Sequence, residues 1–188
     1  DETAPTVSSV TSSTTDATYK VGDTVNVQVV FSEAVNVTTA GGTPKLTLET
    51  GSSDRAVNYS SGSGTDTLVF SYTVQSGDTS SDLNYASTTA LALNGGTIKD
   101  LAGNSATTGT TVTLPALSGS TALAGSKAIV IDGVLPTISS SAITAGTKTL
   151  TLTMSEAVTG APAVGDFAVL VGSATNTVTA VSVSGTSV

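Results

Sequence analysis

The feature that most limits the fold of this chain is the alternation of apolar and polar residues over short segments. In TVNVQVVF at 24–31, and again in TLTLTM at 149–154, every second residue is a large apolar one. Successive side chains of a β-strand point to opposite faces, so each segment predicts a strand with one apolar face. Similar segments, separated by turns rich in Gly, Asn, Asp and Ser, occupy most of the chain.

These segments predict seven to nine short strands in residues 1–131, the signature of an immunoglobulin-like antiparallel β-sandwich. Besides 24–31, the predicted strands are 44–49, 56–60, 67–74, 83–93, 110–114 and 127–131. The NGG at 94–96 resembles the turn of a β-hairpin. Tyr85 follows a turn and enters a strand, the position of a tyrosine corner, in which its hydroxyl bonds back to the preceding loop. The fold class is therefore all-β.

Composition argues against several functions. The net charge is −8 with no basic cluster, which disfavours binding to nucleic acid or to an anionic membrane. No apolar run approaches the 18 residues that membrane insertion needs. His, Cys and Trp are absent, as is a G-x-S-x-G motif, so we expect no enzyme. An acidic chain rich in Ser and Thr and without Cys is typical of the bacterial cell surface, and we expect an extracellular location.

The chain contains an internal repeat. DETAPTVSS at 1–9 and DGVLPTISS at 132–140 share Asp, Pro, Thr, a β-branched residue and two serines in the same order. FSEAV at 31–35 and MSEAV at 154–158 then follow a strand in each copy. We therefore predict tandem domains, a complete sandwich over 1–131 and a partial one, about half a sandwich, over 132–188.

The repeated acids predict a metal site. Only four glutamates occur, and two of them, Glu33 and Glu156, lie in the SEAV phrase. If SEAV ends a strand that returns to the pole where the chain enters, Glu33 meets Asp1 there. The KDLAGN loop at 99–104 would add further ligands from the same pole. Carboxylate and carbonyl oxygens suit Ca²⁺, whereas Zn²⁺ would need His or Cys.

The predicted ligands fall into two sets. The first set is Asp1, Glu33, Asp100 and the side-chain carbonyl of Asn104. The second set is Asp132 and Glu156, which we expect to be incomplete or to be completed by another molecule. The alternative is that these acids serve only as turn and cap residues. Weaker candidates at the opposite pole are Asp16, Asp23, Asp78 and Asp82. Without metal, we expect the linker to bend at Gly133.

Several motifs in order resemble a known family. They are D-x-TAPTV, Y-x-x-GD-x-V-x-V-x-V-x-FSE-x-V, GTP-x-L-x-L, SGSGT-x-TL-x-F-x-YTV-x-x-GD, NGGTI-x-D-x-AGN and IVIDG. Together they look like the tandem bacterial Ig-like repeats of giant secreted surface proteins, which include adhesins and a cyanobacterial cell-surface protein needed for swimming. The resemblance covers 1–134, and 132–188 resembles a shorter repeat type of the same proteins. It implies a stalk module, in many relatives holding calcium near the domain junctions.

The prediction is therefore a non-catalytic extracellular spacer whose partners are neighbouring Ig-like repeats and, in some assemblies, neighbouring copies of the protein. Two alternatives stay open. A surface-layer or filament subunit would complete its second domain by strand exchange. A carbohydrate- or ligand-binding module would need a platform of exposed aromatic rings, and aromatic residues make up only 4% of the chain.

Overall fold

The alternating segments form strands in the structure, a computed structural model that describes residues 1–160, 162–171 and 173–186. The chain divides into two units, Asp1–Val134 and Leu135–Val188. In the described part, no helix is long and apolar enough to cross a membrane.

The first unit contains twelve named strands and one helical turn. In chain order these are β1 Val7–Ser12, β2 Ala17–Lys20, β3 Thr24–Thr38, β4 Lys45–Glu49, β5 Arg55–Ser61, β6 Thr65–Thr73, β7 Thr79–Ser80, β8 Asn84–Tyr85, β9 Leu91–Ala92, β10 Thr97–Asp100, β11 Thr111–Val112, α1 Leu123–Ser126 and β12 Ile129–Asp132. The described part of the second unit contains β13 Ile138–Thr144, β14 Thr149–Met154, a 3-10 turn Val164–Asp166, β15 Val169–Val171 and β16 Ala174–Asn176.

The first unit is an Ig-like β-sandwich. One layer is formed by β1, β3, β6 and β10, and the other by β4, β8, β9 and β11, all in antiparallel pairs. Strand β5 connects the layers, because Arg55–Asn58 pairs with β4 while Tyr59 and Ser61 pair with β6. A third small sheet holds β2 and β12 in parallel, with β7 antiparallel on the other side of β12. The all-β, Ig-like fold class is confirmed.

The core lies between the two layers and follows the predicted alternation. In β3 the inward residues are almost completely buried: Val25, Val27, Val29 and Phe31. They meet Leu46 and Leu48 of β4 and Leu68 and Phe70 of β6 in one continuous cluster. Burying a side chain of this size stabilises the fold by about 1.5–3 kcal/mol.

Three local predictions are wrong. SEAV does not end a strand, since Glu33 lies inside the 15-residue β3. The NGG at 94–96 does not close a hairpin, because β9 pairs with β4 and β11 whereas β10 pairs with β3. Tyr85 does not form a tyrosine corner; its hydroxyl donates to the carbonyl of Pro115, 2.8 Å away and 30 residues downstream. In each case a partner distant in sequence decides the structure.

Among its described residues, the second unit contains two antiparallel hairpins, β13 with β14 and β15 with β16. Its apolar residues are far less covered than those of the first unit. Ile143 is 77% exposed, and Leu150, on the predicted inner face of β14, is 40% exposed.

Candidate metal centre

Three predicted ligands meet at one pole of the first unit. Asp1, Glu33 and Asp100 each offer a carboxylate oxygen, and these three oxygens lie within 4.8 Å of one another. Two oxygens bound to the same Ca²⁺ at about 2.3–2.6 Å can be at most about 5 Å apart. Residues separated by as many as 99 positions are thus close enough to share one ion.

The entry of the chain is tied to β3 by a pair of hydrogen bonds. Thr6 N donates to Ser32 Oγ at 3.1 Å, and Ser32 N donates to Thr6 O at 2.8 Å. Before this pair, Thr3 N donates to Asp1 Oδ1 at 2.8 Å. These bonds position Asp1 beside the residue that follows Ser32, which is Glu33.

The same serine contact occurs in the second unit. Thr137 N donates to Ser155 Oγ at 2.9 Å, and Ser155 N donates to Thr137 O at 2.7 Å. The serine of SEAV therefore anchors the incoming strand in both units. Sequence reasoning concentrated on the glutamate and missed this role, although the common order of P-T and S-E-A-V in both copies is a signal for it.

Glu33 lies at an irregularity of β3. Pairing with β6 runs regularly as far as Val30 and Thr67, and then shifts, with Val35 opposite Thr65. An irregular stretch of this kind bends a strand and redirects its side chains. It allows Glu33 to be half-buried at the pole, between residues that continue the sheet on either side.

Asp100 ends β10 directly opposite Val35 of β3. Its Oδ1 accepts hydrogen bonds from Gly103 N at 2.6 Å and from Asn104 N at 2.7 Å. Gly103 has φ of +102°, a conformation that favours glycine, and this turn directs both N–H groups toward the carboxylate.

Asp100 is 3% exposed and is held in its ionised form. Burial of the carboxyl raises its pKa, but hydrogen bonds from the Asn104 side chain and from backbone N–H groups of the loop lower it by more. The pKa of Asp100 is therefore below its ordinary value, so the group is a carboxylate at neutral pH.

Asn104 is brought to the cluster, but in a different role from the predicted one. Its Nδ2 donates to Asp100 Oδ2 at 2.7 Å and lies 3.3 Å from each of the carbonyl oxygens of Asp1 and Thr3. Asn104 thus connects the loop to the entering chain through its amide nitrogen. Its side-chain carbonyl, the group expected to bind metal, is not the atom that faces Asp100.

Within the part of the chain that the structure describes, no lysine or arginine side chain forms an ion pair with any of the three carboxylates. The ion pairs there join Lys20 to Asp23, Arg55 to Asp78 and Lys127 to Asp16. Like charges at this separation repel one another, most strongly where one of them is buried. Three carboxylate oxygens this close together are the kind of oxygen-only ligand set that Ca²⁺ prefers in proteins.

The second predicted set is not assembled within one unit. Asp132 ends β12 opposite Thr79 of β7, and its Oδ1 accepts a hydrogen bond from Val134 N at 3.3 Å. Glu156 belongs to the second unit, where its Oε1 is buried and has no hydrogen-bond partner among the described residues. The second site stays a prediction.

Of the weaker candidates, Asp78 is the centre of a buried polar cluster. Its Oδ1 accepts from Arg55 Nε at 2.7 Å, and its Oδ2 accepts from Tyr72 Oη at 2.6 Å and from Gln75 N at 2.9 Å. Burial raises the pKa of Asp78, but these bonds, led by the one from Arg55, lower it by more, so that it is below its ordinary value.

The same cluster acts on Tyr72. Burial, reinforced by the hydrogen bond to Asp78, raises the pKa of Tyr72 far above its ordinary value, so its hydroxyl stays protonated. Asp78 is thus a structural residue whose oxygens are taken by protein donors. The sequence analysis did not predict that Arg55, Tyr72 and Asp78 form one cluster. The signal was available, since Arg55 is the only arginine of the chain and Tyr72 lies on the inward face of β6.

Gly133 is fixed to the first unit. Its N–H donates to Asp78 O at 2.7 Å, and its carbonyl accepts from Gly77 N at 2.8 Å. A Cβ at this position would lie 2.3 Å from Gln75 O. Two backbone hydrogen bonds and close packing hold Gly133 against the loop after β6, whereas the bending of the linker without metal stays a prediction.

Aromatic side chains form no sugar-binding platform in the part of the chain that the structure describes. Phe31, Phe70 and Tyr72 are buried in the core, and Tyr59 packs against Phe70 with ring centroids 6.1 Å apart. Tyr19 lies in β2, with its hydroxyl donating to Thr15 O at 2.7 Å. The carbohydrate-binding alternative gains no support from these positions.

Comparison with known protein families supports the Ig-like β-sandwich seen in the first unit. The family model described as bacterial Ig-like domain matches residues 1–118, well over half of the chain, and the chain belongs to this family. No curated protein and no solved structure matched it. Bacterial Ig-like domains are typically non-catalytic structural modules and are often found in extracellular or surface proteins.

Proposed function

We propose that the chain is a non-catalytic spacer of a large repetitive bacterial surface protein or adhesin, made of tandem Ig-like repeats and stiffened by Ca²⁺. The observation that carries the proposal is the convergence of Asp1, Glu33 and Asp100. The three acids come from the entering chain, from the middle of β3 and from the end of β10. An ion bound by all three would cross-link the start of the domain to its core.

The role of the ion would be mechanical. Asp1 is exposed and precedes β1, and the contacts described for it are the hydrogen bonds that Thr3 donates to its Oδ1 and Asn104 to its carbonyl oxygen. Ca²⁺ would remove the repulsion between its carboxylate and those of Glu33 and Asp100, and would immobilise this segment. In a tandem array the segment before β1 is the connection to the preceding repeat, so metal binding would limit bending between repeats. A restriction of bending of this kind is what a spacer needs in order to hold its array of repeats extended and stiff.

Thermal unfolding with and without Ca²⁺ tests the proposal. A ligand that binds only the native state stabilises it by about 2.7 kcal/mol at a hundredfold excess over Kd. We expect the melting temperature to rise by several degrees from EGTA to millimolar Ca²⁺, and to rise less with Mg²⁺, which demands stricter octahedral geometry.

Matched variants connect the shift to the site. Glu33→Gln removes one charge from the cluster and should abolish most of the Ca²⁺ response. Asp54→Asn, which removes a charge from the exposed loop before β5, should retain it. An equal response in both variants, or none in the wild-type chain, would reject the calcium site and leave a spacer without metal.

A further inference from the structure

The first unit is entered and left at opposite poles. Strand β1 begins with Val7 opposite Phe31 of β3 and runs antiparallel to β3, so the chain enters at the pole of the candidate metal centre. Strand β2 leads into the start of β3 through a turn that is closed by the bond from Asp23 N to Lys20 O at 3.0 Å. Strand β2 therefore ends at the opposite pole, where β3 begins.

The last strand of the unit, β12, leaves at that second pole. It pairs with β2 in parallel, from Ile129 opposite Ala17 to Asp132 opposite Lys20. Parallel strands in register end at the same pole, and Gly133 continues from there to the end of the first unit. A strand near the entry of the chain and the strand at its exit are thus neighbours in one small sheet.

The backbone groups of β12 are divided between its two neighbours. Ile129 O accepts from Leu83 N at 2.7 Å, and Gly133 N donates to Asp78 O at 2.7 Å, so these groups face the residues that flank β7. Backbone groups alternate in direction along a strand, and those of Val130 therefore face β2. Strand β12 is held from both sides.

Further contacts fix β12 along its length. Before the strand, Lys127 Nζ lies 4.0 Å from an Oδ1 of Asp16, the residue that precedes β2. Within the strand, the side chains of Ile129 and Ile131 are buried in the core cluster. Withdrawal of β12 would therefore expose apolar surface in addition to breaking hydrogen bonds.

Tension applied through the two ends of the unit would act on β2 and β12 as shear. Such a pull draws β2 toward the entry pole and β12 toward the exit pole, along the axis that the two strands share. The hydrogen bonds of a parallel pair join the strands across that axis, so they would carry the load together. A pull that separates the strands from one end would instead break the bonds one after another.

We propose that β12, held between β2 and β7, is a force-bearing clamp, and that the first unit resists tension through its two ends more strongly than tension that peels β12 from β2. The proposal rests on the proposed function in one respect, since a spacer of a surface protein would be loaded through its ends. Unfolding under force is governed by the rate of unfolding, which depends on the direction of loading. The clamp is formed by strand pairing and does not depend on Ca²⁺ at the entry pole.

Single-molecule pulling of the whole chain in EGTA provides the test. The sequence contains no cysteine, so two introduced cysteines define the points of attachment. Glu2→Cys with Leu135→Cys applies shear, whereas Val21→Cys with Leu135→Cys pulls on the adjacent ends of β2 and β12 and peels them apart. All three positions are exposed, and both pairs leave the second unit outside the loaded path. At the same constant force, we expect the sheared chain to unfold at least about tenfold more slowly, the effect of about 1.4 kcal/mol on a barrier.

Two proline variants of the sheared chain locate the resistance. Val130→Pro removes a backbone donor that faces β2, and should raise the unfolding rate at constant force at least about tenfold. Thr18→Pro is the matched control in β2. Lys20 N donates to Asp23 Oδ2 at 3.0 Å and so points away from β12, and the N–H of Thr18, two residues earlier, points the same way. This variant should change the rate by no more than about threefold.

Equal unfolding rates for the two attachment pairs at the same force would overturn the proposal. Equal effects of the two proline variants would also overturn it, because the pairing of β12 with β2 would then not be what resists the load. If Val130→Pro does not fold, the comparison of the two attachment pairs still decides, since neither pair alters β12 or β2. All pulling is done in EGTA, so a failure of the calcium site would leave these expectations unchanged.

Discussion

Asp78 and Asp100 show how single carboxylates are held in this sandwich. Each is nearly inaccessible to solvent, and each accepts hydrogen bonds on both carboxylate oxygens. Asp78 has in addition the guanidinium of Arg55, whereas Asp100 has no cationic partner within the described chain and lies beside two other acids. The charge of Asp78 is thus balanced by Arg55, whereas the combined charge of Asp1, Glu33 and Asp100 has no such partner among the described residues.

The lowered pKa values of Asp78 and Asp100 predict that the folded chain loses stability in acid. The pKa of each is below the ordinary value of an aspartate in the folded chain, so the ionised form favours folding. This stabilisation is complete above the unfolded pKa and is lost as the pH falls through the lower, folded pKa. Urea denaturation between about pH 5 and about pH 2 should therefore show a falling free energy of unfolding.

Variants separate this effect from general acid sensitivity. Asp78→Asn should lower stability at neutral pH and make the acid dependence shallower. Asp82→Asn, at an exposed position, should keep the wild-type profile. A wild-type profile that is flat in this range would contradict the assignment of both carboxylates as ionised and hydrogen-bonded.

Tyr72→Phe tests the buried polar cluster directly. The change removes a 2.6 Å hydrogen bond and leaves Asp78 Oδ2 with one donor fewer. We expect the free energy of unfolding to fall by about 1–2 kcal/mol, because a buried carboxylate oxygen loses one of its two hydrogen-bond donors. Tyr19→Phe, whose hydroxyl bonds an exposed turn, is the control and should cost clearly less. Equal costs would show that the cluster adds no stability.

At the scale of elements, two glycine pairs join distant turns. A Cβ on Gly41 would lie 2.3 Å from Gly95 O, and a Cβ on Gly96 would lie 2.5 Å from Gly42 O. The backbone after β3 and the backbone before β10 thus touch without side chains between them. The turn NGG thus lies where the chain passes from β9 in one layer to β10 in the other.

Gly41→Ala should therefore destabilise the first unit, by about 1–3 kcal/mol as is usual for overpacking. Gly109→Ala is a matched control, because its nearest neighbour would be Thr107 Oγ1 at an ordinary 3.7 Å and its φ is not positive. Thermal unfolding of both variants provides the measurement. If Gly41→Ala were as stable as the control, the close approach of the two turns would be wrong.

Prediction from sequence succeeded where the information is local and failed where it depends on distant partners. Alternation alone identified β3, β4, β5 and β6, because a buried strand face needs an apolar residue at every second position. It could not show that β3 continues through SEAV, since that continuation depends on pairing with β10, whose residues lie 59 to 65 positions further along the chain. The meeting of Asp1, Glu33 and Asp100 was predicted, but on the mistaken view that SEAV ends a strand.

At the scale of the whole molecule, the chain consists of a bacterial Ig-like domain followed by a second unit with the same first hairpin. Gly133, at the end of the first unit, is bonded to the loop that also carries Asp78. The linker therefore begins after this residue, and the polar cluster of Asp78 helps to fix where it begins.

Gly133→Ala tests this anchoring. Its Cβ would lie within 3 Å of backbone atoms of Gln75 and Asp78, none of which can move without disturbing the buried cluster. We expect a lower melting temperature and faster hydrogen exchange of the Gly77 and Gly133 amides. Gly146→Ala, where a Cβ meets nothing within 4 Å, is the control. Unchanged exchange in Gly133→Ala would contradict a fixed linker start.

The most direct measurement of the central claim is a calorimetric titration of Ca²⁺ into the wild-type chain and into Glu33→Gln, after removal of metal with EGTA. If Asp1, Glu33 and Asp100 share an ion, the wild-type chain will show saturable binding, and the variant will lack that site or bind at least about tenfold more weakly. Identical isotherms for the two chains, or no binding by either, would contradict a calcium centre at this pole.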